Sequence, residues 1–128
     1  MQPHTRALIA ATAFACITGK TVAGVHDHAA ARDRRIGAEC RGGGGQGFDG
    51  DRGARFGGTL PEVFDSGDNA FISLKLSGGA ASGYDRGSQG HFDVVVKDGL
   101  VQVYDHAEAA WFAYDMQDPD AAHGYHRG

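Results

Sequence analysis

The sequence predicts an all-β domain of about five tandem β-hairpin repeats of roughly 20 residues, which form an up-and-down barrel or a two-sheet sandwich with one short apolar N-terminal helix. Three observations support this prediction. Glycine accounts for 21 of 128 residues, well above its average share, and indicates many tight turns. A pair consisting of an aromatic residue or histidine followed by aspartate recurs along the chain. Apolar and polar residues alternate between the glycine-rich links.

The recurring pair sets the period of the repeat. Its aspartates are Asp27, Asp49, Asp65, Asp85 and Asp105, separated by 22, 16, 20 and 20 residues. A period of about 20 residues with one insertion and one deletion is typical of tandem structural units. The first copy is the weakest, because Arg34 stands where later copies have an apolar residue. Ile36 fits that position if the turn carries an insertion.

Alternation of apolar and polar side chains identifies the strands of each unit. It is clearest in residues 71–76 and 92–96, where Val, Phe, Ile and Leu recur at every second position. A period of two between glycine-rich links is typical of half-buried strands joined by turns, so successive strands should run antiparallel. About ten short strands of this kind need their edges closed, which favours a barrel or a sandwich.

The five aspartates are interpreted as structural residues of the turns. An aspartate at the end of a strand commonly accepts hydrogen bonds from backbone N–H groups of the following turn. The alternative is a calcium site, since Asp51 and Asp68 supply second carboxylates in two of the units. A calcium loop needs several acidic ligands in one turn. We therefore expect no metal and no cofactor.

His26 and His28 have a spacing that places both imidazoles on one face of a strand, as in some zinc and copper sites. However, His26 occupies the position of the other aromatic residues of the pair, which are Phe48, Phe64, Tyr84 and Tyr104. The simplest interpretation is that this position faces the core and that His26 replaces a core aromatic. His28 falls at a variable surface position.

A possible binding surface follows from the position six residues after each aspartate. It contains Arg55, Phe71, His91 and Trp111, and each precedes an apolar residue that we expect to be buried. Strand alternation should then point these four side chains outward, where exposed aromatics and arginine are enriched at interfaces. Alternatively, Phe71 and Trp111 pack under a loop, against the N-terminal helix or across a dimer interface.

Nucleophilic catalysis has one short-range candidate set, Ser88, His91 and Asp85. Such clusters are common in polar turns, and a hairpin turn offers no evident oxyanion hole. A second enzymatic hypothesis gathers polar residues at one end of the barrel, namely His26, His28, Asp85, His91 and His106. We expect no catalytic activity.

The chain is predicted to consist of an apolar helix in residues 1–19, a repeat domain in residues 20–116 and a loosely ordered tail in residues 117–128. The apolar run of residues 7–18 is too short to span a bilayer. It is either a helix buried on all sides and ended by Gly19, or a secretory signal cleaved after Ala15. Cys16 and Cys40 are expected to be free thiols, with a single bridge between them as the alternative, and a cytoplasmic location is slightly favoured over export.

The charge distribution argues against nucleic-acid binding, because 12 basic and 16 acidic residues give a net charge of −4 without a basic block. We expect a non-enzymatic binding or structural module with an unidentified protein or small ligand as its partner. A homo-oligomer is left open. The alternatives are an exported or envelope-attached ligand-binding protein and an enzyme with a polar site at one barrel end.

Overall fold

The computed structural model describes residues 1–117. The predicted tail lies outside the described residues, except that Gln117 still belongs to the last strand. One helix precedes eleven strands: α1 (Pro3–Thr18), β1 (Gly24–Asp27), β2 (Arg32–Arg34), β3 (Ile36–Arg41), β4 (Gly44–Asp49), β5 (Ala54–Thr59), β6 (Glu62–Asp65), β7 (Ala70–Ser77), β8 (Ala80–Asp85), β9 (Gly90–Lys97), β10 (Leu100–Asp105) and β11 (Ala110–Gln117).

All eleven strands belong to one antiparallel sheet that curls into a nearly closed barrel. From β3 to β11 each strand pairs with its neighbour in sequence, and β1 then pairs with β11. The two edge strands are β2 and β3, and an isolated bridge between Val22 and Ala38 holds the ends of the sheet together. The predicted all-β barrel with one N-terminal helix is therefore confirmed, with one sheet rather than the two of a sandwich.

Helix α1 fills the interior of the barrel. Its residues from Thr5 to Ala15 are buried on every side, and it contacts strands around the whole sheet. A helix that lacks a polar face is stable only when it is enclosed, and here the curved sheet encloses it. Gly19 ends the helix in a left-handed conformation and donates its N–H to the carbonyl of Ala15. No helix within residues 1–117 has the length and apolar character of a membrane span.

A disulfide joins Cys16, near the end of α1, to Cys40 in β3. The expectation of two free thiols was wrong. The cysteines are 24 residues apart in sequence. Their spacing alone does not show that the helix runs through the barrel and ends beside β3. The bond fixes the C-terminal end of the helix to an edge strand.

On the inner face of the sheet, a glycine in one strand lies opposite a large aromatic residue in the next strand. Gly47 faces Phe56 in the next strand, and Gly83 faces Phe92 in the same way. A Cβ added to either glycine would overlap the opposite phenyl ring. The residue before the aromatic-aspartate pair alternates between valine and glycine along the chain, at Val25, Gly47, Val63, Gly83 and Val103. This alternation is therefore a packing feature of the barrel interior.

The structure does not support the expectation that Ile36 takes the inward position of the first hairpin through an insertion in the turn. Arg34 itself occupies the inward position, opposite Val25, and its guanidinium donates to Asp27 over 2.7 Å. Ile36 begins the next strand, β3, at the other edge of the sheet. The ion pair explains why an arginine is tolerated where the later hairpins have apolar residues.

Candidate binding surface

The five repeated aspartates point into the barrel, at the end where the helix begins. Each is the last residue of its strand, and each is at most 4% exposed. Each accepts a hydrogen bond from a backbone N–H two or three residues ahead in the following turn, with donors Ala30, Asp51, Gly67, Gly87 and Ala107. These are the turn contacts expected from the sequence. We call this ring of five residues the aspartate rim.

The five turns after the rim share one backbone geometry. The fourth residue after each aspartate adopts a left-handed conformation, at Ala31, Gly53, Asn69, Gln89 and Ala109. Non-glycine residues adopt this conformation at an energetic cost. The hydrogen bonds to the buried carboxylates hold the turns in this geometry.

Cations neutralise most of the buried rim. Arg52 bridges Asp49 and Asp65, with nitrogen to oxygen distances of 2.6 and 3.2 Å. Asp105 accepts from Arg6 and from the amine of Met1, both at 3.1 Å. Burial opposes ionisation of Asp105, but these hydrogen bonds outweigh it and lower its pKa below the ordinary value. The rim therefore anchors the start of the helix.

Tyr114 lies beside the rim, in register with Asp27. Burial, followed by the negative charge of Asp27, raises the pKa of Tyr114 to about 12, against the opposing effect of Arg6 and Arg34. The phenol is thus held neutral inside the barrel. It serves the fold as a core residue and does not reach the outer surface.

The candidate catalytic set does not come together. Ser88 donates its hydroxyl hydrogen bond to Asp85 over 2.7 Å, inside the turn. His91 lies on the opposite face of the sheet and packs against Tyr84 outside the barrel. The second hypothetical set is divided in the same way, since Asp85 is buried whereas His28, His91 and His106 are exposed.

The aromatic residues that precede the rim aspartates lie outside the barrel. The interpretation of this position as a core position was wrong for Phe48, Phe64, Tyr84, Tyr104 and His26. Because side chains alternate along a strand, the inward aspartates force the neighbouring aromatics outward. Sequence alone suggested the opposite assignment, since burying a carboxylate is costly unless it is paired, and the sequence does not show which arginines reach the aspartates inside the barrel.

The four predicted surface residues Arg55, Phe71, His91 and Trp111 are all exposed. Each stands directly opposite one of the outward aromatics: Arg55 with Phe48, Phe71 with Phe64, His91 with Tyr84 and Trp111 with Tyr104. The sequence therefore identified one half of a double row. The other half was missed because its aromatic residues were assigned to the core.

These rings form a nearly continuous ladder from β6 to β11, which we call the aromatic belt. Its members are Phe64, Phe71, Tyr84, His91, His106, Tyr104 and Trp111. Ring centroids are 4.9 Å apart for Phe64 and Phe71, 4.7 Å for Tyr84 and His91, and 5.1 Å for Tyr104 and Trp111. His106 connects the last two pairs, because its ring centroid lies 4.9 Å from that of Tyr104 and 6.4 Å from that of His91. Phe71 is 44% and Trp111 54% exposed.

Hydrogen-bonding groups flank the belt on the same outer face. His106 bonds Asp93 and His28 bonds Asp115, both at 2.7 Å. These carboxylates are about half exposed, so each retains oxygen atoms open to a ligand. The surface thus combines flat apolar rings with polar groups at their edges.

An open groove of about 1690 Å³ lies next to the belt, across β3, β4 and β5. Phe48 and Phe64 line it, and Gly37 and Gly57 leave its floor without side chains. Three arginines, Arg35, Arg41 and Arg55, also line it, together with acidic residues. We call this feature the glycine groove.

One further cluster contains donor atoms suitable for a metal ion. His4, Asp65 and Asp68 bring one ligand atom each within 4.8 Å of one another. Arg52 already contacts both carboxylates, and His4 bonds Asp68 at 2.7 Å. The cluster thus has internal partners for its charges. Comparison of the chain with protein-family models, with curated proteins and with solved structures finds no match.

Proposed function

We propose that this protein is a non-enzymatic binding module that holds an extended carbohydrate chain across the aromatic belt. The observation that carries the proposal is the ladder of outward-facing rings from Phe64 to Trp111, of which Phe71 and Trp111 are the most exposed apolar members. Exposed apolar patches on a folded domain are typical of binding sites. Here the aromatic rings occupy outward positions of the sheet and do not belong to the buried core.

A sugar chain matches the chemistry of the belt. A pyranose ring has an apolar C–H face that can stack on an aromatic ring, and hydroxyl groups around its edge. The belt offers rings together with the exposed carboxylates of Asp93 and Asp115. Carboxylates accept hydrogen bonds from hydroxyl groups. Both halves of a sugar's surface therefore find partners on this face.

The spacing of the belt also favours a linear polymer. Its ring pairs recur with every second strand, and strands lie about 4.8 Å apart, so the pairs are about 10 Å apart. That distance is close to the length of two sugar rings in an extended chain. Single-stranded nucleic acid also stacks on aromatic platforms, but it needs a positively charged groove, and the acidic flanks of the belt disfavour it.

Fluorescence of Trp111, the one tryptophan of the chain, tests the proposal directly. Hexasaccharides of glucose, of N-acetylglucosamine and of methyl-esterified galacturonic acid serve as neutral probes. We expect at least one to change the emission of Trp111 in a saturable way. Phe71→Ala should weaken that binding roughly fivefold, because a stacked ring contributes about 1 kcal/mol.

The matched control is Val95→Ala, which trims an exposed apolar side chain on the same face but outside the belt. It should leave the affinity unchanged. Equal weakening by both variants, or no response to any hexasaccharide, would contradict the proposal. A response to a proline-rich peptide alone would instead assign the belt to recognition of polyproline helices.

The disulfide supports a location outside the reducing cytosol, because disulfides persist in oxidising compartments. Under this proposal the exported alternative is preferred over the cytoplasmic location that the sequence slightly favoured. Helix α1 fills the barrel, so the functional chain must keep it. The intact mass of the protein from its native source tests this, since removal of residues 1–15 would take away most of the enclosed helix.

A further inference from the structure

Phe48 lies outside the aromatic belt although it has the same position in its hairpin. Within residues 1–117 it is the one aromatic side chain before a rim aspartate that contacts no other ring. Arg55 stands opposite it on one side and Gly37 on the other. The ring is 47% exposed, and Gly37 leaves the space beside it without a side chain.

Two of the three arginines that line the glycine groove are also exceptional. Arg35 and Arg55 are exposed, and neither side chain forms an ion pair with any residue of the described part of the chain. All other arginines in residues 1–117 are held in ion pairs, namely Arg6, Arg32, Arg34, Arg41, Arg52 and Arg86. The groove thus gathers the two guanidinium groups that the fold leaves unused.

The acidic residues of the groove do not cancel these charges. Asp51 accepts from Arg32 and from the backbone N–H of Arg35. Glu39 pairs with Arg41 and accepts from Gln46, and Asp33 pairs with His26. Since these carboxylates already have partners, the arginine side chains remain the groups available to an anion.

We propose that the glycine groove binds a ring that carries a carboxylate, with the ring against Phe48 and the carboxylate between Arg35 and Arg55. Guanidinium groups match carboxylates in geometry as well as in charge. This inference rests on the proposed function and specifies it: the sugar chain carries a uronic-acid unit in the groove, while its neutral units lie along the belt between the carboxylates of Asp93 and Asp115.

Two hexamers of galacturonic acid form the matched pair of ligands for the test: one is fully methyl-esterified, and the other is the same ester with one free acid group at a terminal unit. Calorimetry should show that the free acid binds roughly tenfold more tightly than the ester and that added salt reduces this difference. Arg35→Gln/Arg55→Gln should lower the affinity for the acid to that for the ester. The control Lys75→Gln/Lys97→Gln removes the same charge from exposed sites elsewhere on the outer face and should change neither affinity.

The outcomes separate the two proposals. Equal affinity of the wild-type protein for both hexamers would overturn the carboxylate site while the belt stands. If neither hexamer nor benzoate binds, the carboxylate site is contradicted, and the belt proposal then depends on the glucose and N-acetylglucosamine hexamers. Benzoate binding that is lost only in the arginine variant would support the carboxylate site and assign it to a free ring acid rather than a polymer. Equal loss in the lysine control would show that net charge, and not the groove, attracts the acid.

Discussion

Buried aspartates determine which face of each strand is inside this barrel. A carboxylate is expensive to bury unless it is paired and hydrogen-bonded. Here each rim aspartate accepts turn N–H groups, and Asp27, Asp49, Asp65 and Asp105 also contact cations. Asp85 is the exception, since its partners are the backbone and hydroxyl of its own turn. Placing the carboxylate inside puts the neighbouring aromatic outside, where it becomes available for binding.

The small residues of the inner face give a sharp test of the packing. Gly83→Ala should lower the free energy of unfolding by at least about 1–3 kcal/mol, because the added methyl group would overlap the backbone carbonyl of Ser73 as well as the ring of Phe92. Gly99→Ala is the matched control, since a Cβ there meets no atom within 4 Å. Urea denaturation of the two variants measures the difference. Similar stability of both would mean that Gly83 does not face Phe92.

At the scale of elements, the helix and the sheet depend on each other. Helix α1 has no polar face and needs the enclosing strands, while no other element within residues 1–117 fills the centre of the barrel. The two ends of the helix are fixed differently. Arg6 pairs with Asp105 at the rim, and Cys16 is bonded to Cys40 at the far end. Helix and sheet should therefore unfold together.

Removing the disulfide should weaken this coupling. Cys16→Ser/Cys40→Ser is expected to lose roughly 2–4 kcal/mol of stability, because the bond closes a loop of 24 residues and restricts the unfolded chain. Chemical denaturation with and without a reductant provides the measurement. The wild-type protein should become as unstable as the variant when reduced, and the variant should not respond. If a reductant leaves the denaturation midpoint of the wild-type protein unchanged, the disulfide does not stabilise the attachment of the helix to the sheet.

At the scale of the whole molecule, the barrel separates two kinds of chemistry. Buried ion pairs lie inside one end of the barrel, around the start of the helix, whereas the rings of the belt and the unpaired arginines Arg35 and Arg55 face outward. The rim carboxylates are tied to the helix through Asp105, and Asp68 contacts His4 from the same end. Burial opposes ionisation of Asp68, but hydrogen bonding to His4 and the charges of His4 and Arg52 lower its pKa.

These lowered pKa values predict acid sensitivity. Asp105 and Asp68 are ionised more readily in the folded than in the unfolded chain. Their contribution is therefore fully present above the unfolded pKa of about 4 and is lost as the pH falls through the lower folded values. Unfolding free energy measured from pH 6 to pH 2 should decrease in this window. Asp105→Asn should show a shallower decrease, whereas Asp98→Asn, an exposed turn variant, should follow the wild type.

The sequence predicted one half of the aromatic surface and missed the other half. Strand alternation placed Phe71 and Trp111 on one face together with His91, and all three are exposed. It could not show that Tyr84 and Tyr104 share that surface, because the competing assignment of aromatics to the core was physically reasonable. The glycine groove was missed entirely, since it depends on which arginines find partners across the sheet.

The sequence by itself determined the local features of this protein: strands from period-two alternation, turns from glycine and aspartate, and an enclosed helix from an apolar run without a polar face. Only the tertiary structure decided which strand face is inside, how the sheet closes and which distant groups pair. The reason is that alternation divides residues between two faces without saying which is buried. That choice depends on long-range contacts, such as those between Arg6 and Asp105 or Cys16 and Cys40, which local pattern does not encode.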